Sequence, residues 1–124
     1  DILLTLDPEN LDKMVTIMES MGYQQRLPIG IQELSDEQKA RAFIEEKGLT
    51  AYSFIHDKYP QFNVDVLVAE SIDFEKFSEH TMRAEVWNID VPVVSIDDLI
   101  AMKKNSGREK DVQDVVALLE LKGL

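Results

Sequence analysis

The sequence predicts an α+β fold with α/β-like order: a small mixed β-sheet flanked by helices and closed by a C-terminal helical pair, in one domain spanning residues 1–124. Three observations carry this expectation. Helix-period and strand-period apolar segments alternate through the first two thirds of the chain, and two helical patterns follow at its end. No repeat, low-complexity stretch or linker divides the sequence. The composition, 44% apolar and 30% charged over 124 residues, suits one compact core.

The elements follow in order. Asp1 leads directly into the apolar run Ile2-Leu3-Leu4-Thr5-Leu6, which reads as a buried strand already under way. With no leader ahead of it, this strand gives the expectation that the natural protein continues upstream. Asp7-Pro8-Glu9-Asn10 starts a helix, because Asp7 can accept from free N–H groups, Pro8 suits the first helical position and Glu9 complements the dipole. Leu11, Met14, Val15, Met18 and Met21 recur at helical spacing as core filler, and Gly22 ends the element. The segment Tyr23 to Gly30 is a turn-rich stretch around a short strand. Ser35-Asp36-Glu37-Gln38 has the capping-box pattern ahead of Ala40, Phe43 and Ile44, with Gly48 as the stop.

Strands are expected over Thr50 to Ile55 and Phe62 to Ala69, joined by His56-Asp57-Lys58-Tyr59-Pro60. In the second, Val64, Val66 and Val68 alternate with Asp65 and Leu67, so Asp65 faces away from the valines. A short helix around Asp73 to Met82 precedes a hairpin of Glu85 to Trp87 and Val91 to Val94, with Asn88-Ile89-Asp90 as its turn. Ser95 caps a helix carrying Leu99 and Ile100, broken at Asn105-Ser106-Gly107. The last helix runs from about Arg108 with Val112, Val115, Val116 and Leu119 on its buried face, and Asp111 and Asp114 to one side of that stripe.

Charge and composition limit the function classes. Thirteen Lys plus Arg against 24 Asp plus Glu give a net charge of −11, which disfavours general DNA binding. Cysteine is absent, excluding disulfides, thiolate nucleophiles and Cys-based zinc sites. No apolar run approaches the ~20 residues needed to span a bilayer, so no membrane partner is expected and a cytoplasmic location is the default. His56 and His80 lack a partner at metal-motif spacing and read as surface residues; Arg83 reads as a salt-bridge former.

Two features stand out. Asp65 sits in a valine-rich strand, where a carboxylate must be paired, solvated or bound to a cation. Asp1 enters an apolar strand that a βαβ-type connection places beside it, so the two can converge on one divalent ion, or Asp65 can simply face solvent. The second is Lys103 to Lys110, which holds four basic groups and one acidic group. Its local charge of +3 leaves −14 for the rest of the chain. It is either an anion site or a solvated turn between helices. Asp111 and Asp114, three apart, can orient Lys103 or Arg108 by pairing, or supply negative charge to the helix start.

These residues resemble the minimal nucleotidyltransferases of the polymerase-β-like superfamily, in particular the bacterial branch that includes abortive-infection, type IV toxin–antitoxin proteins. Asp1-Ile2-Leu3-Leu4 is similar to the tail of the family's Asp-x-Asp strand, with Asp1 in the second carboxylate position. Asn63-Val64-Asp65-Val66-Leu67 is similar to the later strand that supplies the third carboxylate. Lys103 to Lys110, followed by Asp111 and Asp114, has the spacing of the family's Lys-x6-Lys-Asp-x-x-Asp motif. The family's Gly-Ser turn and first Asp have no counterpart in this sequence and belong upstream of Asp1. The resemblance implies a nucleotidyltransferase fold and transfer of a nucleoside monophosphate from a nucleoside triphosphate to an acceptor hydroxyl by two Mg²⁺ ions. It implies Asp1 and Asp65 as catalytic metal ligands, and Lys103, Arg108, Lys110, Asp111 and Asp114 as the nucleotide-binding group. The acceptor, whether tRNA, protein or small molecule, and the base are left open, and a cognate antitoxin is an expected partner. The alternatives are a non-catalytic interaction protein of such a pair, binding a basic partner through its acidic surface, and a plain structural domain.

Overall fold

The computed structural model describes residues 1–123. The α+β class is observed: among the described residues there are six α-helices and two small antiparallel sheets, in two compact units, Asp1–Phe74 and Glu75–Leu124.

In the first unit, α1 (Pro8–Ser20) begins at Asp7, whose side chain accepts from the Asn10 N–H; this bond, with one from Thr5, holds the Asp7 pKa down. Its buried face is Leu11, Val15 and Met18, whereas Met21 beyond the helix end is exposed. β1 (Tyr23–Gln25) is followed by a 3₁₀ turn, Ile31–Ser35, that plants Ile31 and Leu34 in the core. Helix α2 (Glu37–Lys47) ends at Gly48, whose φ of +66° suits glycine. Its cap is Asp36, which accepts from the Gln38 and Lys39 N–H groups, because Ser35 already closes the 3₁₀ turn. Asp36→Ala is expected to cost about 1 kcal/mol and Ser35→Ala far less, a contrast measurable by urea denaturation.

Strands β2 (Ala51–His56) and β3 (Val64–Leu67) complete an antiparallel sheet of order β1-β2-β3. Tyr52 pairs with Val66 and Phe54 with Val64, so one face packs with α1, the 3₁₀ turn and α2 as the core. Burial pushes the Tyr52 pKa up to about 12, and its hydroxyl lies 2.5 Å from Ile29 O and 2.7 Å from Gln25 Oε1, pinning the stretch after β1. The strand expected over residues 2–6 is reduced to one parallel bridge, Ile2 to Val66. Its neighbour explains why: β3 ends at Leu67, α3 (Val68–Ile72) begins at once, and the Leu4 N–H turns to Ser71 Oγ at 3.2 Å.

The helix expected around residues 73–82 is the shorter α4 (Phe74–Ser78), α3 takes the place of the end of the strand expected to Ala69, and β4 starts at Met82. In the second unit β4 (Met82–Val86) and β5 (Ile89–Val93) form a hairpin. Its turn is Trp87-Asn88, with φ of +50° and +64°, rather than Asn88-Ile89-Asp90. Two successive positive φ values make a primed two-residue turn whose twist matches the strands. Helix α5 (Ile96–Ser106) is capped by Ser95, which accepts from the Asp98 N–H, and ends at Gly107, φ +69°. A two-residue step, Gly107-Arg108, leads into α6 (Glu109–Gly123), giving the helical pair.

The buried face of α6 differs from the expectation. Val115 is buried, but Val112 and Val116 are 56% and 55% exposed and Leu119 is exposed too. The face packed on α5 instead runs through Asp111, Asp114, Val115 and Leu118, at i, i+3, i+4 and i+7. The two candidate stripes share Val115 and differ by about one residue's rotation, about 100°. The ion pairs from Lys103 to Asp111 and Asp114 lie on the observed face.

Candidate functional site

The first group of candidate residues lies on the sheet. Val66 enters the core, so period-2 alternation turns Asp65 to the opposite face. Directly across on β2 stands Ser53, whose hydroxyl donates to Asp65 Oδ1 at 2.6 Å and fixes the carboxylate's orientation. On the other side, the Ile2 N–H donates to Asp65 O at 2.9 Å and Leu67 N–H to Ile2 O at 3.0 Å. That pattern is a parallel register in which Ile2 faces Val66 and Asp1 lies beside Asp65. Ile2 packs against the core, so by alternation Asp1 falls on the face that carries the half-buried Asp65, one strand spacing (about 4.8 Å) away in the backbone. The structure thus sets the two residues singled out in the sequence at neighbouring backbone positions. Continuing the ladder, Arg26 N–H donates to Ser53 O at 3.2 Å, so Asp1, Asp65, Ser53 and Arg26 form one transverse row. Ser53 and Arg26 carried no signal in the sequence, because nothing local states which residue of β2 faces Asp65.

Two neighbouring carboxylates supply hard oxygen donors of the kind Mg²⁺ takes, one or two at a time, with phosphate and water completing its shell. Among the described residues no group of three or more His, Asp or Glu side chains converges as a metal site.

The second group joins α5 to α6. Lys103 Nζ reaches Asp111 Oδ1 at 3.2 Å and Asp114 Oδ2 at 2.8 Å. Arg108 Nε donates to Asp111 Oδ2 at 2.8 Å, and the Ser106 hydroxyl donates to the same carboxylate. Asp111 is 3% exposed, correcting its placement to one side of the buried stripe. The Ser106 bond, opposed by burial and aided by Arg108 and Lys103, holds its pKa down at about 2. The Asp114 bond raises the Lys103 pKa, with Asp111 adding to the effect, so Lys103 stays charged. Its ammonium is directed at two carboxylates and acts as a clasp between helices. Arg108 is mostly exposed beyond its bond to Asp111, and exposed Lys110 has no ion pair among the described residues. The predicted pairing of Asp111 and Asp114 with Lys103 and Arg108 is therefore present, and Lys110 stands outside it.

No protein-family model matches the chain, and no curated protein matches it. No helix among the described residues is long and apolar enough to cross a membrane.

The clasp has a definite pH dependence. The folded pKa of Asp111 lies below that of a free carboxylate, so its contribution is complete above about pH 4 and is lost as pH falls toward about 2. An acid titration followed by NMR is expected to show the α5 and α6 amides losing exchange protection in that window. Of the remaining sequence candidates, His80 is exposed as expected, whereas His56 is half-buried: it accepts from the Lys58 and Tyr59 N–H groups and packs edge-on with Tyr23. Arg83 approaches Asp90 at 3.9 Å, an exposed ion pair.

Proposed function

We propose that the chain is a Mg²⁺-dependent nucleotidyltransferase of the polymerase-β-like type, moving a nucleoside monophosphate from a nucleoside triphosphate to an acceptor hydroxyl. The observation that carries this reading is the register of Asp1 beside Asp65 on one face of the sheet. The spacing from Lys103 to Lys110, Asp111 and Asp114 adds to it. Asp1 and Asp65 would hold the metal, whose bound form supplies positive charge to the triphosphate and its leaving group. Ser53 orients the Asp65 carboxylate through Oδ1 and leaves Oδ2 for ligation or for accepting the proton of the attacking hydroxyl. In the second unit, Lys103, Asp111 and Asp114 hold the helical pair, and the resemblance implies Lys110, exposed and without an ion pair among the described residues, as a group that neutralises phosphate charge. The acceptor is a tRNA, protein or small-molecule hydroxyl, and membership of a toxin–antitoxin pair with a cognate antitoxin belongs to the same reading.

A ligand that prefers the folded state raises the melting temperature. Each of the four nucleoside triphosphates with Mg²⁺ is therefore to be tested by thermal shift, together with pyrophosphate release. At least one is expected to raise the melting temperature of the natural chain and not of Asp65→Asn. No shift with any of the four removes the reading and favours the non-catalytic interaction protein.

A further inference from the structure

The hairpin of the second unit is two-faced. Its register pairs Met82 with Val93, Ala84 with Val91 and Val86 with Ile89, so all six side chains share one face. Met82, Val86, Ile89, Val91 and Val93 on that face are exposed, and Trp87 at the tip is 91% exposed. An isolated two-stranded hairpin is marginal in water, and a contiguous exposed apolar face marks an interaction surface.

The other face carries Glu85 directly opposite Asp90. Two like charges on opposed strand positions repel, and the single cation nearby, Arg83, reaches Asp90 only at 3.9 Å. On the hairpin, Met82 to Val93, there are two carboxylates against one basic side chain, a net charge of −1. The surface therefore complements basic side chains on one face and apolar ones on the other.

The edges differ in their freedom to pair. The Trp87-Asn88 turn makes Val86 and Ile89 a hydrogen-bonded pair. By alternation the backbone groups of Arg83 and Glu85 point outward from β4, and those of Asp90 and Pro92 outward from β5. Pro92 has no N–H, so the β5 edge lacks a donor where an added strand would need one. Neither outer edge is paired among the described residues.

From these observations we infer that β4 is a docking edge for an extended segment of a basic partner protein in which apolar and Lys or Arg residues alternate. The apolar residues extend the Met82–Val86 face, the basic ones sit beside Glu85 and relieve its repulsion with Asp90, and the main chain bonds to Arg83 and Glu85. The inference is independent of nucleotidyl transfer.

A short synthetic peptide of alternating lysine and valine, with a glutamate–valine peptide as its counterpart, tests this on the full chain. Trp87 is the single tryptophan and reports directly. The lysine peptide is expected to shift Trp87 emission to shorter wavelength saturably and to slow amide exchange at Arg83 and Glu85 by at least about tenfold, leaving Asp90 unchanged. Val86→Lys and, with the apolar face retained, Glu85→Lys are each expected to weaken binding by at least about tenfold. An equal response to the glutamate peptide, protection at Asp90 in place of Arg83 and Glu85, or a concentration-dependent Trp87 shift without peptide, which would mean a second copy, overturns it.

Discussion

Asp65→Asn is expected to lower nucleotidyl transfer by about a thousandfold, the loss of about 4 kcal/mol of transition-state stabilisation, while leaving the melting temperature nearly unchanged. The amide keeps the acceptor oxygen that Ser53 bonds at 2.6 Å and the shape of the strand. What it removes is the negative charge to which the proposed function assigns the binding of a divalent cation and the acceptance of a proton. Because Val66, not Asp65, packs in the core, the sheet itself loses no apolar contact. A variant that retained activity with Mg²⁺ and its preferred nucleotide would remove Asp65 from the mechanism. Pyrophosphate release and circular dichroism on one preparation separate the chemical effect from an effect on folding.

The largest effect on the fold of the second unit is expected from Asp111→Ala. This one carboxylate receives Lys103, Arg108 and the Ser106 hydroxyl, and it is the buried polar group of the α5–α6 contact. Its removal leaves Lys103 with Asp114 alone and Ser106 and Arg108 without their shared acceptor. Asp111 is the buried member of this set, and its loss leaves donors around a buried position without their acceptor. Hydrogen exchange of the α6 amides is expected to speed up by more than about tenfold, with the sheet of the first unit unaffected. Asp111→Asn, which keeps the shape and two acceptor lone pairs but not the charge, is expected to fall between the two. An α6 as protected in Asp111→Ala as in the natural chain would show that the clasp contributes nothing to the pair.

Particular residues show how much of this was legible in the sequence. The placement of Asp65 off the core face follows from its valine neighbours, because strand alternation has a period of two and leaves no other choice. Its partner Ser53 was not legible: register is a long-range property, set by which face of β2 must bury Tyr52 and Phe54. The Lys103 to Asp114 spacing indicated a cluster, and the cluster forms, but the orientation of α6 did not follow from it. Positions 112, 115, 116 and 119 are the more apolar stripe, yet α6 turns Asp111 and Asp114 toward Lys103 of α5, a pairing between helices that no local pattern states. The 3₁₀ turn Ile31–Ser35 is too short to show a period, yet it buries two of the largest core side chains. Its presence is also what moved the helix cap from Ser35 to Asp36. At the hairpin, Trp87 with positive φ ran against residue preference, so the turn could be placed only through the strand pairing on either side of it.

The central claim is that Asp1 and Asp65 form a divalent-ion site, and Mn²⁺ substituted for Mg²⁺ tests it most directly. In a two-dimensional NMR titration of the full chain, trace Mn²⁺ is expected to broaden the amides of Ile2, Ser53, Asp65 and Val66 first, and to spare them in Asp65→Asn. Broadening that begins elsewhere, or that persists unchanged at these residues in Asp65→Asn, would contradict it.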